Sequence, residues 1–258
     1  MELGLKRKVI LVTGGASGIG KDIVKKLQEL NAIPIVLDRL SRLEVNWEEK
    51  NNSESELHWF KLDLTEEEHC SNAIDEIIDR FGRIDGLVNN AGINDRVGLS
   101  TGVEYFRTSL EANLIHYFTM THLCYDMLKK NKGSIVNIGS KVSFTGQGGT
   151  SGYTASKGAI TSLTREWAVD FAACGVRVNA VIPGEVMTPM YDSWLNSFDS
   201  PRDKLQAITA NIPLENRMTE SSEVAMAVIF LLSQWSAHTT GQFLFVDGGY
   251  SHLDRSIS

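Results

Sequence analysis

The feature that most constrains this chain is a glycine-rich stretch, TGGASGIG, which spans residues 13–20 and interrupts the first apolar run. The run before it, KVILV, is short and rich in branched residues, as expected of a buried strand. After it, Ile19, Ile23, Leu27 and Leu30 recur at helical spacing. Glycine weakens strands and helices alike, so glycines clustered where the two meet indicate a turn that requires a bare backbone.

Short β-branched runs alternate with amphipathic helical stretches along the chain. The strand-like runs are KVILV, IPIVLD, LHWFKL, IDGLVNN, GSIVNI, VRVNAVI and FLFVDGG. This alternation predicts an α/β fold in a single domain: a doubly wound, Rossmann-like, seven-stranded parallel sheet with helices on both faces. A long helical segment is expected from about Val103 to Leu128. Such sheets bind ligands at the carboxyl ends of their strands, where the glycine-rich stretch falls.

Two segments fall outside this alternation. Residues from about Glu185 to Asn211 form a long insertion before the last helix, and insertions of this kind often close over a site. We therefore expect residues 185–211 to act as a lid or substrate-binding segment. The polar run from Glu48 to Glu56 is expected to be a surface loop rather than a linker between domains.

Composition excludes several classes of protein. No run of about eighteen apolar residues is present, so no membrane span is predicted, and the N-terminal residues are expected to form a strand rather than a signal peptide. A net charge of −7 without a basic stripe argues against nucleic-acid binding. Cys70, Cys124 and Cys174 are scattered, which predicts free thiols in a reducing, cytoplasmic compartment and no disulfide or metal framework.

The glycines are placed as a phosphate-binding turn would need them. Gly14 would permit the tight turn, Gly18 would let a pyrophosphate approach the backbone, and Gly20 would let the helix pack closely on the strand. The spacing is Gly-x-x-x-Gly-x-Gly, not the common Gly-x-Gly-x-x-Gly fingerprint. Taken alone, an ordinary tight turn between a strand and a helix is the alternative.

Two carboxylates extend this hypothesis to a whole nucleotide. Asp38 ends the second strand-like run, where an acid can bind the ribose hydroxyls of an adenosine and repel a 2′-phosphate. NAD is therefore favoured over NADP, although the adjacent Arg39 keeps NADP as a minority option. Asp63, at the end of the third run, is expected to bind the adenine amino group. The alternatives are a solvated turn residue for Asp38 and a helix cap for Asp63.

Tyr153 and Lys157 are four residues apart and therefore lie on one face of a helix. A free tyrosine has a pKa of about 10 and is a poor base at neutral pH. We expect the Lys157 ammonium, together with an oxidised nicotinamide, to lower the pKa of Tyr153 into a useful range. Ser140 ends a preceding strand and can bind the same substrate oxygen. A pair at this spacing on an ordinary helix surface is the alternative.

Together these motifs resemble the short-chain dehydrogenase/reductase family. The resemblance rests on TGGASGIG, NNAG at residues 89–92, Asn113 in ANLIHYF, Ser140, YTASK and PGEVMTP, in the family's order over nearly the whole chain. It implies that Tyr153 is the acid/base, that Lys157 binds the cofactor ribose, and that Ser140 positions the substrate oxygen. Asn113 would hold a water molecule that links Lys157 to solvent.

The resemblance also implies a set of NAD contacts. Asn90 would line the adenosine side, and Val186 and Thr188 would meet the nicotinamide carboxamide. With the residues argued above, the predicted cofactor-binding set is Gly14, Ser17, Gly18, Ile19, Gly20, Asp38, Asp63, Leu64, Asn90, Gly92, Tyr153, Lys157, Val186 and Thr188.

The residues expected around the reacting centre are polar, which suits a substrate with several hydroxyls better than a steroid or an acyl chain. They include Asn94, Asp95, Arg96, His116, Lys141, Gln147 and Glu185. Gln147 and Glu185 rank highest as substrate residues, with Ser140 and Tyr153. Within the family, segments such as SKVSFTGQGGTSGY resemble the L-fucose (aldose 1-) dehydrogenase branch, which implies oxidation of an anomeric hydroxyl to a lactone.

Other functions remain open. A 3-oxoacyl-thioester reductase or a hydroxysteroid dehydrogenase would share every catalytic residue. A regulator that binds nucleotide without catalysis would be expected to lack Tyr153 or Lys157, and a purely structural domain would leave the motifs as coincidence. The family suggests a homotetramer, and the apolar segment GQFLFVDGGYSHL near the C-terminus would suit a subunit interface. The expected partner is a small molecule, such as a sugar.

Overall fold

The structure is a computed structural model that describes residues 2–45, 47 and 57–253. The polar run at residues 48–56, predicted to be a surface loop, lies outside the described residues. The strands are β1 (Val9–Thr13), β2 (Ile33–Asp38), β3 (His58–Lys61), β4 (Gly86–Asn89), β5 (Ser134–Ile138), β6 (Arg177–Pro183), β7 (Val186–Met187), β8 (Thr219–Glu220) and β9 (Phe243–Val246).

The helices alternate with these strands as the sequence predicts. They are α1 (Gly18–Glu29), α2 (Glu67–Phe81), α3 (Val103–Leu110), α4 (His116–Leu123), α5 (Tyr125–Asn131), α6 (Ser151–Ala172), α7 (Pro189–Leu195), α8 (Pro201–Thr209) and α9 (Ser221–Leu232). Shorter turns at Glu111–Ile115 (π-helical) and at Lys141–Ser143 and Gln234–Ser236 (both 3₁₀) complete the order.

Within the described residues, seven strands form one sheet in the order β3-β2-β1-β4-β5-β6-β9, and every pairing is parallel. The predicted doubly wound, seven-stranded parallel sheet is thereby confirmed. The strand order reverses beside β1, which pairs with β2 on one side and β4 on the other. A crevice therefore opens at the carboxyl ends of β1 and β4, the usual ligand site of such sheets.

Both faces of the sheet are buried because successive side chains of each strand point to opposite sides. On β1, Val9 and Leu11 join the hydrophobic cluster that contains residues of α2, α4 and α6. Ile10 and Val12 join the opposite cluster, which contains residues of α1 and α9. Burial on both faces explains why the strand sequences read as continuous apolar runs rather than alternating ones.

The long helical segment expected at about 103–128 is present, but it is not one regular helix. The structure breaks it into α3, a π-helical turn at Glu111–Ile115, α4 and α5. Asn113 lies inside the π-helical turn, fully buried, and its side chain bonds the backbone on both sides. Oδ1 accepts from Ile93 N at 2.7 Å and Nδ2 donates to Ser109 O at 3.1 Å. A π-helical turn inside a helix often marks a functional site.

The insertion at 185–211 is folded rather than irregular. It begins with β7, which pairs with β8 in a small separate sheet that the sequence analysis did not predict. Thr188 then caps α7, with its side chain accepting from Tyr191 N at 3.2 Å, and Pro189 takes the first helical position. Pro201 begins α8 in the same way, and proline suits such positions because their N–H groups have no intrahelical partner.

None of the described helices combines the length and apolar character needed to cross a membrane. Cys70 and Cys124 are buried and Cys174 is half-buried, and all three are free thiols. Among the described residues, no three side chains of histidine, cysteine, aspartate or glutamate converge in a way that could hold a metal ion.

Candidate active site

A cavity of about 1350 Å³ opens at the carboxyl ends of the central strands. It exceeds the usual range for a small-molecule pocket, so it has room for a dinucleotide and a substrate together. Most of the predicted site residues line it: Gly14, Ser17, Gly18, Ile19, Asp38, Asp63, Leu64, Asn90, Gly92, Ser140, Gln147, Tyr153, Lys157, Glu185, Val186 and Thr188. Gly20 and Asn113 do not line it.

The glycine-rich turn has the bare backbone that the sequence implied. Gly14 and Gly18 have φ angles of +64° and +51°, which favour glycine. A Cβ at Gly20 would overlap the carbonyl oxygen of Gly14, so the glycine allows α1 to pack closely on β1. Gly20 plays this part although it does not line the cavity. Asn90 holds this turn, because its Nδ2 donates to Thr13 O at 2.9 Å and to Gly14 O at 3.1 Å.

Asp38 is 8 % exposed, which excludes the alternative of a solvated turn residue. Its carboxylate accepts from Ala16 N and from Leu40 N, both at 3.0 Å, so it ties the end of β2 to the glycine-rich turn. Asp63 is exposed and bonds Thr65 N and Thr65 Oγ1 at 2.9 and 2.8 Å. These bonds hold the pKa of Asp63 below its ordinary value, so Asp63 is ionised.

Three elements bring the candidate catalytic side chains together. Tyr153 and Lys157 lie one turn apart on α6, and Lys157 Nζ is 5.6 Å from the centre of the Tyr153 ring. Ser140 follows β5, and its side chain hydrogen-bonds Tyr153. The Ser140 hydroxyl also accepts from Val142 N at 3.4 Å, which orients it at the start of the 3₁₀ turn. A substrate oxygen can therefore meet both hydroxyls at once.

The expectation that Lys157 and an oxidised nicotinamide together lower the pKa of Tyr153 stays a prediction, and the protein alone holds that pKa high. Burial raises the pKa of Tyr153 to about 12, against the Ser140 hydrogen bond, which lowers it, and the Glu185 carboxylate raises it further. Burial also lowers the pKa of Lys157 to about 7, so the ammonium itself is costly at this position. Positive charge beside Tyr153, from Lys157 and from an oxidised nicotinamide, would lower this pKa.

Comparison with known proteins agrees with this geometry. A family model described as "Enoyl-(Acyl carrier protein) reductase", of the short-chain dehydrogenase type, matches residues 14–251. The chain belongs to the short-chain dehydrogenase/reductase family. An L-fucose dehydrogenase of Bos taurus is 36% identical to it over 94% of this chain and 88% of that protein. The 3-oxoacyl-[acyl-carrier-protein] reductase FabG of Thermotoga maritima is 34% identical over 95% and 98%.

Solved structures of the family superpose closely. A crystal structure of Cj0485 dehydrogenase is 42% identical, with a TM-score of 0.94 over 99% of this chain and 98% of that one. Aldohexose dehydrogenase of Thermoplasma acidophilum has 29% identity and a TM-score of 0.87 over 97% and 96%. ElxO with NADP bound has 29% identity and a TM-score of 0.85 over 95% and 98%. This chain is accordingly an NAD(P)-dependent oxidoreductase that acts on a CH–OH group.

The cofactors of the family fit the residues present. The left-handed glycines leave no side chain in the way of a pyrophosphate, and the start of α1 offers backbone N–H groups to it. Asp38 stands at the end of β2 and lines the cavity, and its contact with an adenosine ribose stays a prediction. Asn113 is held in place by its side-chain bonds to Ile93 N and Ser109 O, and its role in holding a water molecule that links Lys157 to solvent stays a prediction.

A polar cluster on the substrate side was only partly foreseen. Lys141 forms an ion pair with Glu185, both side chains being largely buried, and the hydroxyl of Tyr191 hydrogen-bonds the same carboxylate. The ring of Tyr250 covers the ammonium group at 4.0 Å. All four residues line the cavity. Sequence reasoning ranked Glu185 but could not pair it, because its partner lies 44 residues away.

The position of Asp38 generates a prediction about cofactor choice. Replacing Asp38 with alanine removes the charge that would repel a 2′-phosphate, so the ratio of kcat/KM for NAD to that for NADP should fall by about tenfold or more. Steady-state kinetics with both cofactors measures this ratio.

Asp75→Ala, on the exposed face of α2, is the matched control and should leave the ratio unchanged. An Asp38→Ala enzyme that folds and keeps the original ratio would contradict the ribose assignment.

Proposed function

We propose that this enzyme oxidises the anomeric hydroxyl of an L-fucose-like aldose to the lactone and transfers the hydride to NAD. The observation that carries the proposal is the Lys141–Glu185 pair, with Tyr191, beside Ser140 and Tyr153 in the cavity. A sugar presents adjacent hydroxyls, and a paired carboxylate and ammonium can accept from one and donate to the next. A steroid or acyl chain would cover this ion pair without adding hydrogen bonds to it, whereas sugar hydroxyls can bond it.

Further polar groups surround the position of the substrate. Gln147 lies in an exposed loop between Ser140 and Tyr153, where its amide can both donate and accept. Trp194 contacts Tyr191 edge-to-face at 5.0 Å on α7 and lines the cavity, which suits an apolar sugar face. Because α7 belongs to the insertion at 185–211, we propose that this segment closes over the substrate.

Each catalytic side chain has a role in this reaction. Tyr153 takes the proton of the anomeric hydroxyl, and Ser140 donates a hydrogen bond to the same oxygen. Lys157 places a positive charge beside the phenolate that Tyr153 must become. When bound, NAD supplies the acceptor for the hydride. The anomeric oxygen thereby gives its proton to Tyr153 while the anomeric carbon gives its hydride to the cofactor.

Three finer statements belong to the same proposal. NAD is the preferred cofactor, because Asp38 faces the ribose position, although a family member as similar as ElxO carries NADP. We place the enzyme in the cytoplasm, in keeping with three free thiols. We also propose a homotetramer, supported by half-buried apolar residues along β9 near the C-terminus.

The second candidate is reduction of a 3-oxoacyl thioester. The similarity to FabG of Thermotoga maritima, at 34% identity, favours it. Such a substrate shares the catalytic residues but gives no role to the buried Lys141–Glu185 pair. The substrate end of the cavity therefore decides between the two functions.

The deciding experiment measures NADH formation with L-fucose, D-arabinose and L-galactose beside cyclopentanol, a hydroxysteroid and a 3-hydroxyacyl thioester. We expect strong activity on the three sugars. Glu185→Gln should lower kcat/KM for L-fucose by roughly 10- to 100-fold, because a hydrogen bond to a charged group is lost, and change cyclopentanol oxidation much less.

Glu76→Gln, exposed on α2, is the control for this variant and should behave as the wild type. Activity on the thioester with silence on all sugars would reject the sugar proposal and leave the family, the cofactor and the catalytic residues in place.

Tyr153→Phe tests the acid/base assignment. It should keep NAD binding and lower turnover by roughly 10³-fold or more, because proton transfer is lost. Oxidation needs the phenolate form of Tyr153, whereas reduction needs the protonated phenol. Because the protein holds the pKa of Tyr153 high, the wild-type oxidation rate should rise with pH and the rate of the reverse reduction should fall. The variant should lose this dependence.

Fluorescence titration with NADH checks that binding survives the substitution. Near-normal turnover, or a pH profile shared with the wild type, would remove Tyr153 from the reaction.

A further inference from the structure

Lys157 has a hydrogen-bond partner that the known site residues do not include. Its Nζ donates to the hydroxyl of Tyr117 at 2.9 Å and to the carbonyl oxygen of Ile138 at 2.8 Å. The Tyr117 hydroxyl in turn donates to the same carbonyl at 3.1 Å. Tyr117 is fully buried and Lys157 is 2 % exposed, so these three groups form a closed triangle away from bulk solvent.

The ammonium group of Lys157 lies between the rings of two tyrosines, Tyr117 and Tyr153. Nζ is 5.0 Å from the centre of the Tyr117 ring and 5.6 Å from that of the Tyr153 ring. Tyr117 is in the first turn of α4, directly after the π-helical turn that interrupts this helical region. The bulge alters the phase of the helix at this point, so Tyr117 faces α6 rather than solvent.

A hydroxyl can serve this lysine in a way that a carbonyl cannot. A carbonyl oxygen only accepts hydrogen bonds. It can therefore accept from an ammonium or from the N–H groups of a neutral amine, but it cannot donate to the lone pair of the amine. The Tyr117 hydroxyl accepts from the ammonium and can rotate to donate to the amine. Burial makes the charged form of Lys157 costly, so each acceptor that the protein supplies to the ammonium bears on whether the charge remains there.

We propose that Tyr117 is a positioning residue for Lys157: its hydroxyl holds the ammonium group beside Tyr153 and keeps it charged while Tyr153 loses its proton. Tyr117 does not touch the reacting atoms and acts only through Lys157. The role requires the acid/base chemistry of the family but not a sugar substrate, so it stands independently of the proposed function.

The other groups that face Lys157 are few among the described residues. Tyr153 is the titratable side chain from α6, and Tyr117 and His116 are those from α4. His116 is 2 % exposed, and burial together with the charge of Lys157 lowers its pKa to about 4, so it is neutral near pH 7. The loop after β4 approaches Nζ with Gly92, which has no side chain. Tyr117 and Ile138 are therefore the acceptors to test.

Tyr117→Phe removes the hydroxyl that accepts from Lys157 and keeps the hydrogen bond from Lys157 to the carbonyl oxygen of Ile138. The remaining ammonium has one acceptor fewer, so it loses its proton at lower pH and no longer favours the Tyr153 phenolate. Ultraviolet difference absorbance at 295 nm, recorded with saturating NAD, monitors the ionisation of Tyr153. We expect this transition to move to higher pH by about one unit. Subtracting the titration of Tyr153→Phe identifies the transition that belongs to Tyr153.

Two further variants make the result specific. Tyr125→Phe, on α5 with its ring 5.0 Å from that of Phe171, is the matched control and should leave the transition in place. Lys157→Met should raise the Tyr153 transition by itself, and adding Tyr117→Phe to it should change nothing further, because Tyr117 acts through the lysine. Should Tyr117→Phe fail to fold, Tyr117→Leu also lacks the hydroxyl and takes its place.

Two results would overturn the proposal. An unchanged Tyr153 transition in a Tyr117→Phe enzyme that has only become less heat-stable would mean that the hydroxyl merely satisfies the core. A shift of the same size with and without Lys157 would mean that Tyr117 acts by another route. Failure of all sugars as substrates would leave the titration and its interpretation unaffected.

Discussion

The close approach of two backbone segments, Gly20 against the carbonyl of Gly14, is the constraint on which the rest of the site depends. It lets α1 pack closely on β1 after a turn of only four residues, 14–17, so that the start of the helix lies at the cavity. Neighbouring strands then hold the turn in place. Asn90, after β4, bonds its carbonyl groups, and Asp38, at the end of β2, accepts from Ala16 N. The cofactor site is thus built jointly by three adjacent strands.

Burial controls the chemistry of the neighbouring catalytic centre. It raises the pKa of Tyr153 and lowers that of Lys157, so both reactive groups resist the charged forms that oxidation requires. Positive charge beside this centre favours the phenolate form of Tyr153. The hydroxyls of Ser140 and Tyr117 supply hydrogen bonds to Tyr153 and Lys157, respectively.

The sheet and most of the site could be predicted from the sequence, because their signals are local. Runs such as KVILV record burial on both faces, and Tyr153 and Lys157 are one helical turn apart. What could not be predicted depends on contacts between distant segments. Lys157 meets Tyr117 across 40 residues, and Glu185 meets Lys141 across 44. The π-helical turn within the helical segment at 103–128 was likewise not predicted, and Asn113, inside this turn, bonds Ile93 N across 20 residues.

The central claim is that hydride leaves the anomeric carbon of an L-fucose-like sugar for NAD within this cavity. Oxidation of L-fucose that carries deuterium at carbon 1, followed by mass spectrometry and proton NMR of the nicotinamide product, tests it directly. The account predicts one deuterium at carbon 4 of the reduced nicotinamide for each lactone formed. Reduced cofactor without deuterium, or no reduced cofactor at all, would contradict it.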